Sequence, residues 1–197
     1  MTEILASLLA VDQQLFTLIN GEGHNAFLDL VMPFWRNKYF WAPLYVFIFS
    51  FVTLNYKLKG LCFVGALLLT VTLADTMSSQ VIKKSVERLR PCNDPALKAS
   101  VNLLVPCGGG YSFTSSHATN HFAVASFLWL TLGMGFRWIR LPILFWAFTI
   151  AFGQVYVGVH YPLDVFVGAL IGILLGNLVA WLYLKVEAWQ ISYHQIA

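Results

Sequence analysis

Two histidines and an aspartate stand in stretches that are otherwise mostly apolar or small. His160 and Asp164 lie in GQVYVGVHYPLDV, residues 153–165, and His117 lies in SFTSSHATNH, residues 112–121. At a spacing of four, a carboxylate can accept one imidazole N–H and fix the tautomer, leaving the other ring nitrogen as a nucleophile or base. Pro162 suits the first turn of a helix, which sets His160 at its start and Asp164 within the next turn. Taken alone, the pair also reads as a structural hydrogen bond at a helix end. In the second stretch Ser115 and Ser116 open a helix whose free N–H groups and positive dipole end suit a phosphate, with His117 beside it. A helix-capping segment with an incidental histidine is the alternative there. His117 and His121 have the i, i+4 spacing of metal ligands, but no third ligand accompanies them, so no metal is expected.

A third cluster, KKSVERLRP, places Lys83 and Arg90 seven residues apart, about two helical turns, so that both project from one side. A pair of cations there calls for an anion, although ordinary snorkelling at an interface explains such a pair in isolation. Together the three clusters supply charge stabilisation, an oriented nucleophile and an acid for a leaving oxygen. That is the equipment of metal-independent phosphoryl transfer, the cleavage of a phosphate ester or anhydride.

The elements that must position these groups are set by lipid. Of 197 residues, 58% are hydrophobic and 11% charged, against about 25% charged in a soluble domain. Mean hydropathy is +0.70. With about 20 apolar residues needed per crossing, the reading is an all-α integral membrane protein, a single domain over residues 1–197. It would be a bundle of about five transmembrane helices, at roughly 40–56, 61–82, 118–136, 139–159 and 162–184. The first twenty residues lack the basic start of a signal peptide and are interrupted by Asp12, Gln13 and Gln14. They and residues 24–38 read as interfacial helices. The polar loop over 83–116 is long enough to be a working part. Asp75 falls inside the second span, a costly place that signals a role, here a structural hydrogen bond rather than catalysis, with Ser78 and Ser79 one turn on as a polar stripe leading toward Lys83. A net charge of +3 without a dense basic cluster excludes nucleic acid and leaves the bilayer and a lipid as partners.

Alternating spans put the three polar clusters on one face and Lys57, Lys59, Arg137, Arg140 and Lys185 on the other, in short links or at a span end. Such links favour the cytoplasm; the first face itself holds seven Lys/Arg, and it is with Lys83 and Arg90 set aside as required by the chemistry that the reading places the site outside the cytoplasm. Cys92 and Cys107 bracket the long loop. A disulfide between them would close about 15 residues, be worth roughly 3 kcal/mol, and fit the periplasm; two unpaired thiols are the alternative. Cys62 reads as a small apolar filler.

These spacings resemble the type 2 phosphatidic-acid phosphatase superfamily, whose pattern is K-x6-RP, then PSGH, then SR-x5-H-x3-D. Lys83 to Arg90-Pro91 matches the first motif, Thr114-Ser115-Ser116-His117 keeps the Ser and His of the second, and Gly153-Gln154, His160 and Asp164 follow the third. The resemblance implies that His160 attacks phosphorus to form a phosphohistidine, Asp164 orients it and His117 protonates the leaving group. It also implies that Lys83, Arg90, Ser115 and the Ser116 backbone hold the phosphate, with no metal or other cofactor. Gln154 stands where the family has arginine and is counted with the phosphate-binding residues as a neutral amide donor, with Lys84 or Arg88 as candidate substitutes for the missing charge. The implied task is removal of a terminal phosphate from a lipid at the bacterial inner membrane, with the site facing the periplasm. Polyprenyl (undecaprenyl) diphosphate is the first expectation. Phosphatidylglycerophosphate, phosphatidate, lipid A phosphates and a lipid phosphotransferase are alternatives, and a transporter or an impaired lipid-binding protein would be non-enzymatic readings.

Overall fold

The computed structural model describes residues 2–196, and among these no strand occurs. Helix α1, Thr2–Thr17, runs into a π turn at Leu18–Glu22, and α2 is Ala26–Trp35. Helix α3, Lys38–Asp75, continues as a π-helical segment, Thr76–Ile82, and one α turn, Lys83–Val86. After the long loop come α4, Ser116–Leu130, α5, Arg140–Tyr156, and α6, Pro162–Ile196. The starts of α2, α3 and α4 are each capped by a short polar side chain, Asn25, Asn37 and Ser115, accepting a first-turn N–H.

Helix α3 is two antiparallel arms. The chain reverses at Lys57, where φ is +50°, and returns so tightly that a Cβ on Gly60 would lie 2.3 Å from the Val52 carbonyl oxygen. Stretches with the length and hydropathy of a membrane span are Glu3–Glu22, Lys38–Asn93 with its two arms, Arg137–Tyr156 and Pro162–Glu187. The first of these differs from the interfacial reading of the N-terminus. Its polar interruption, Asp12, is turned inward and only 4% exposed, so it breaks the apolar pattern without facing water.

Helix α4 is the centre of the bundle, packed by α3, α5 and α6, with Ala118, Thr119, Ala123, Ala125 and Phe127 buried. Its closest partner is α6, through a stripe of glycines four residues apart. A Cβ on Gly168, Gly172 or Gly176 would lie 2.9, 2.3 or 2.3 Å from the carbonyl oxygens of Ser115, Thr119 and Ala123. Small residues let helices in lipid approach closely where no hydrophobic effect drives them together. The large apolar side chains point outward instead, among them Phe47, Leu54, Leu68, Phe145 and Leu174.

The long loop is fastened at several points. A disulfide joins Cys92 to Cys107. Asn20 donates to the carbonyls of Asn102 and Tyr156, both at 2.8 Å, and accepts the Asn102 N–H at 2.9 Å. Tyr161 Oη donates to Asp94 at 2.9 Å, and the Ser112 N–H donates to the Arg88 carbonyl at 2.7 Å.

Candidate active site

His160 sits in the turn between α5 and α6. The Gln154 carbonyl accepts the N–H groups of both Val159 and His160, each at 3.2 Å. Gly158 makes the bend at φ +86°, where a Cβ would lie 2.7 Å from Val101 Cγ1; only glycine fits both requirements. The His160 side chain is almost fully buried. Its Nε2 lies 3.2 Å from Arg90 Nη1, and its Nδ1 lies 3.3 Å from Ser112 Oγ and 3.5 Å from Asp164 Oδ2. Because a guanidinium can only donate, Nε2 must present its lone pair and Nδ1 must carry the proton. Burial lowers the imidazolium pKa to about 4, against an opposing pull from Asp164. His160 is therefore neutral at pH 7, with the lone pair directed at the cations.

Asp164 is completely buried and fully used. Oδ1 accepts Arg88 Nη1 at 2.7 Å, and Oδ2 accepts the Tyr161 N–H at 2.9 Å together with the Ser112 hydroxyl. Ser112 thus bridges the histidine and the carboxylate, linking Nδ1–H to Asp164 through one hydroxyl as well as across the longer direct contact. On its far side Arg88 donates Nη2 to Asp12 Oδ2 at 2.6 Å, while Asp12 Oδ1 accepts the Leu163 N–H at the start of α6 at 2.7 Å. The guanidinium also lies over the Tyr161 ring, 3.9 Å from its centroid. Arg88 is engaged with two carboxylates and does not stand in for the missing family arginine. Lys84 is exposed.

Arg90 is threaded through the glycine-rich segment, donating Nε to the Gly110 carbonyl at 3.3 Å and Nη1 to the Val159 carbonyl at 3.1 Å. Gly108 packs against its guanidinium, a Cβ there lying in ordinary contact with Arg90 Cζ at 3.6 Å. Lys83 is half-buried at the start of the α turn that ends the α3 run. Ser115 is buried and its hydroxyl faces back to cap α4, accepting the Ala118 N–H. Ser116 Oγ contacts the hydroxyls of Ser78 at 3.1 Å and Ser79 at 2.9 Å. Asp75 Oδ1 accepts from Ser79 Oγ at 3.3 Å and from Asn120 Nδ2 at 3.1 Å, while Asn120 Oδ1 is buried without a partner. Asp75 thus has the structural hydrogen bonds expected of it, with Ser79 and Asn120 as partners, while Ser78 turns to Thr114 and Ser116. His117, Ser116, Asp75 and Asn120 line a cavity of about 340 Å³ together with Arg36, Lys38 and His121. The His121 ring lies parallel to that of His117, and its Nδ1 donates to the His117 carbonyl at 2.8 Å. Among the described residues no cluster of three His, Cys, Asp or Glu gathers.

Gln154 corrects the simplest form of the sequence reading. Its side chain is fully buried, donates Nε2 to the Ile150 carbonyl at 3.3 Å and accepts Arg36 Nε at 3.0 Å through Oε1. It holds a cation in place and does not itself face the cavity. Arg36, Ser112 and Asp12 were not singled out as site residues from the sequence. The signal for Arg36 was the absence of the charge at 154, and nothing in linear spacing connects two residues 118 apart.

A helical membrane bundle that gathers a buried His–Asp pair, unpaired cations and a second histidine beside a cavity defines a membrane phosphatase. The PAP2 superfamily model matches residues 60–188, and the chain belongs to that superfamily as a lipid phosphatase. It is 38% identical to the lipid A 4'-phosphatase of Bacteroides thetaiotaomicron over 82% of this chain and 72% of that protein. It is 29% identical to the undecaprenyl-diphosphatase of Sulfolobus acidocaldarius over 89% of this chain and 78% of that protein. The crystal structure of Aquifex aeolicus LpxE superposes with a TM-score of 0.65 at 31% identity, covering 86% of this chain and 94% of the other.

Proposed function

We propose that the protein removes a phosphate monoester from the sugar headgroup of a lipid A-type glycolipid, at the periplasmic face of a bacterial inner membrane. His160 Nε2 attacks phosphorus in line, and the bond from phosphorus to the sugar oxygen breaks. His117, kept neutral before substrate binds by burial and the nearby cations, takes up a proton when the phosphate dianion binds beside it and delivers that proton to the sugar oxygen. Water, deprotonated by His117, then attacks the phosphohistidine, breaking the N–P bond and releasing inorganic phosphate. Arg90 turns from Nε2 to the phosphate oxygens as the nitrogen becomes bonded, with Lys83 and the first-turn N–H groups of α4 sharing the charge. Every electron pair stays with main-group atoms, and no metal is called on.

The observation that carries the choice of substrate is the polar wall beside His117. Asp75, exposed on that wall with Asn120 Nδ2 donating to its Oδ1, is an acceptor placed where the leaving group would lie. A sugar supplies hydroxyl donors to such an acceptor. A polyprenyl phosphate leaving group, expected first from the sequence, would bring more negative charge toward a carboxylate, although Lys38 on the same cavity tempers that. The likeness to a lipid A 4'-phosphatase supports the same choice. The periplasmic orientation is supported by the disulfide and by the basic residues in short links at the opposite end of the bundle.

Purified protein in mixed micelles with EDTA should release phosphate from lipid A faster than from undecaprenyl diphosphate or phosphatidylglycerophosphate, and His160→Ala should release none. Asp75→Asn should reduce the rate on lipid A more than on the diphosphate. A preference for the diphosphate that Asp75→Asn leaves unchanged would replace the sugar by the polyprenyl substrate.

A further inference from the structure

We infer that Arg36, delivered by α2 from outside the family's matched region, supplies the phosphate-binding guanidinium that position 154 lacks. This rests on the phosphatase reading above and adds a residue to its site. Three observations point to it. Gln154 Oε1 accepts Arg36 Nε at 3.0 Å, and among the described residues no other hydrogen bond and no carboxylate engages that guanidinium. Its two terminal nitrogens are thus left as donors. Arg36 also lines the cavity that holds His117 and Ser116, while the main chain of its partner Gln154 holds the His160 turn. One residue therefore couples the acid side of the site to the nucleophile side.

The surroundings are shaped for this arrangement. Gly153 packs directly against α2 and its C-terminal turn: a Cβ there would stand in ordinary contact, 3.5 Å from both Arg36 Cβ and Met32 Sδ. Trp35 Nε1 donates to Thr149 Oγ1 at 2.9 Å and Trp41 Nε1 donates to the Trp35 carbonyl at 2.7 Å, fixing the turn that presents Arg36 against α5. Gly153-Gln154 is thus a seat for an arginine brought from another helix, and the positive charge is relocated through 118 residues of sequence. A half-buried cation beside Arg90, with no carboxylate in contact with it, is better satisfied when an anion completes the cluster. Burial, with Arg90 nearby, lowers the Arg36 pKa to about 10, which still leaves it charged at pH 7.

The test uses the full chain in detergent with two readouts: kcat/KM on lipid A in EDTA, and affinity for orthovanadate measured by thermal shift. Arg36→Gln should lower kcat/KM by about 10- to 100-fold and weaken orthovanadate comparably. The exchange Arg36→Ser with Gln154→Arg, which returns the guanidinium to the family position, should restore a substantial part of both. Millimolar guanidinium ion should do the same for Arg36→Gly, and this arm decides if the exchanged protein does not fold. Unchanged orthovanadate affinity in Arg36→Gln would overturn the inference. So would a loss that neither the exchange nor guanidinium restores, because a merely structural role predicts that pattern. If the wild type cleaves no lipid phosphate yet Arg36→Gln still weakens orthovanadate, the substrate reading fails and the role of Arg36 stands.

Discussion

Removing Arg88 should destabilise the fold before it affects substrate. Its guanidinium is the shared cation of two buried carboxylates, at 2.6 Å from Asp12 and 2.7 Å from Asp164. The side chains of Arg88, Asp12 and Asp164 are 17%, 4% and 0% exposed, so little water is present to replace the lost charge. Breaking a buried ion pair by deleting one partner costs about 3–5 kcal/mol, and here one deletion strands two anions. Against a total stability of about 5–15 kcal/mol, Arg88→Met should fall at the upper end of that cost and express poorly. The variant keeps the length and apolar stem, which isolates the charge from the packing over Tyr161. Asp12→Asn in the same background should recover part of the loss by removing one stranded charge. The assay is reversible unfolding in mixed micelles with an increasing fraction of denaturing detergent, followed by circular dichroism. A loss below about 1 kcal/mol would refute the reasoning. So would unaltered stability combined with a collapse in kcat/KM, which would put Arg88 on the substrate.

Ser112→Ala removes the hydroxyl between His160 and Asp164 and should lower kcat by about tenfold or more while leaving the lipid KM nearly unchanged, measured as full kinetic curves. In the proposed reaction His160 attacks in its neutral form, and burial lowers its pKa to about 4; as pH falls, the nucleophile should be lost only near that value. Nuclear magnetic resonance comparing wild type with His160→Gln should therefore show no His160 titration near the ordinary value of about 6.5. Gly172→Val places atoms against the Thr119 carbonyl, where even a Cβ would lie at 2.3 Å. It should separate α4 from α6 and abolish folded protein, as judged by size exclusion in detergent. Replacing Cys92 and Cys107 together by serine should cost roughly 3 kcal/mol in unfolding experiments, the chain-entropy value for a loop of this length.

The chemistry was more legible in the sequence than the architecture that supports it. His160 and Asp164 are four residues apart across the start of α6, so local geometry brings that pair together. Lys83 and Arg90 do not lie two turns along one helix as the spacing suggested, because the α turn ends at Val86, Glu87 turns left-handed at φ +53° and Arg90 is extended. The bracketing of the loop by Cys92 and Cys107 was equally local. What could not be read is what depends on contacts across long separations. Asp12 looked like a flaw in an apolar helix, and its meaning appears only when Arg88 and the start of α6 arrive above it. Arg36 reads as an ordinary interfacial cation until α2 packs on Gly153-Gln154. The glycines at 168, 172 and 176 were visible as residues, but their partner helix was not, because a small-residue stripe does not say which neighbour it admits. Asp75 showed the opposite case: its cost inside a span signalled a role, and the hydrogen bond to Ser79 is one turn away.

The central claim is that His160 carries the phosphoryl group, and trapping that intermediate tests it most directly. Protein mixed with lipid A labelled in its phosphate, in EDTA, would be denatured rapidly in alkali and the labelled peptide located by mass spectrometry. An alkali-stable, acid-labile phosphate on His160, absent from His160→Ala, is the result expected. Phosphate release that continues in His160→Ala, or label found on another residue, would contradict it.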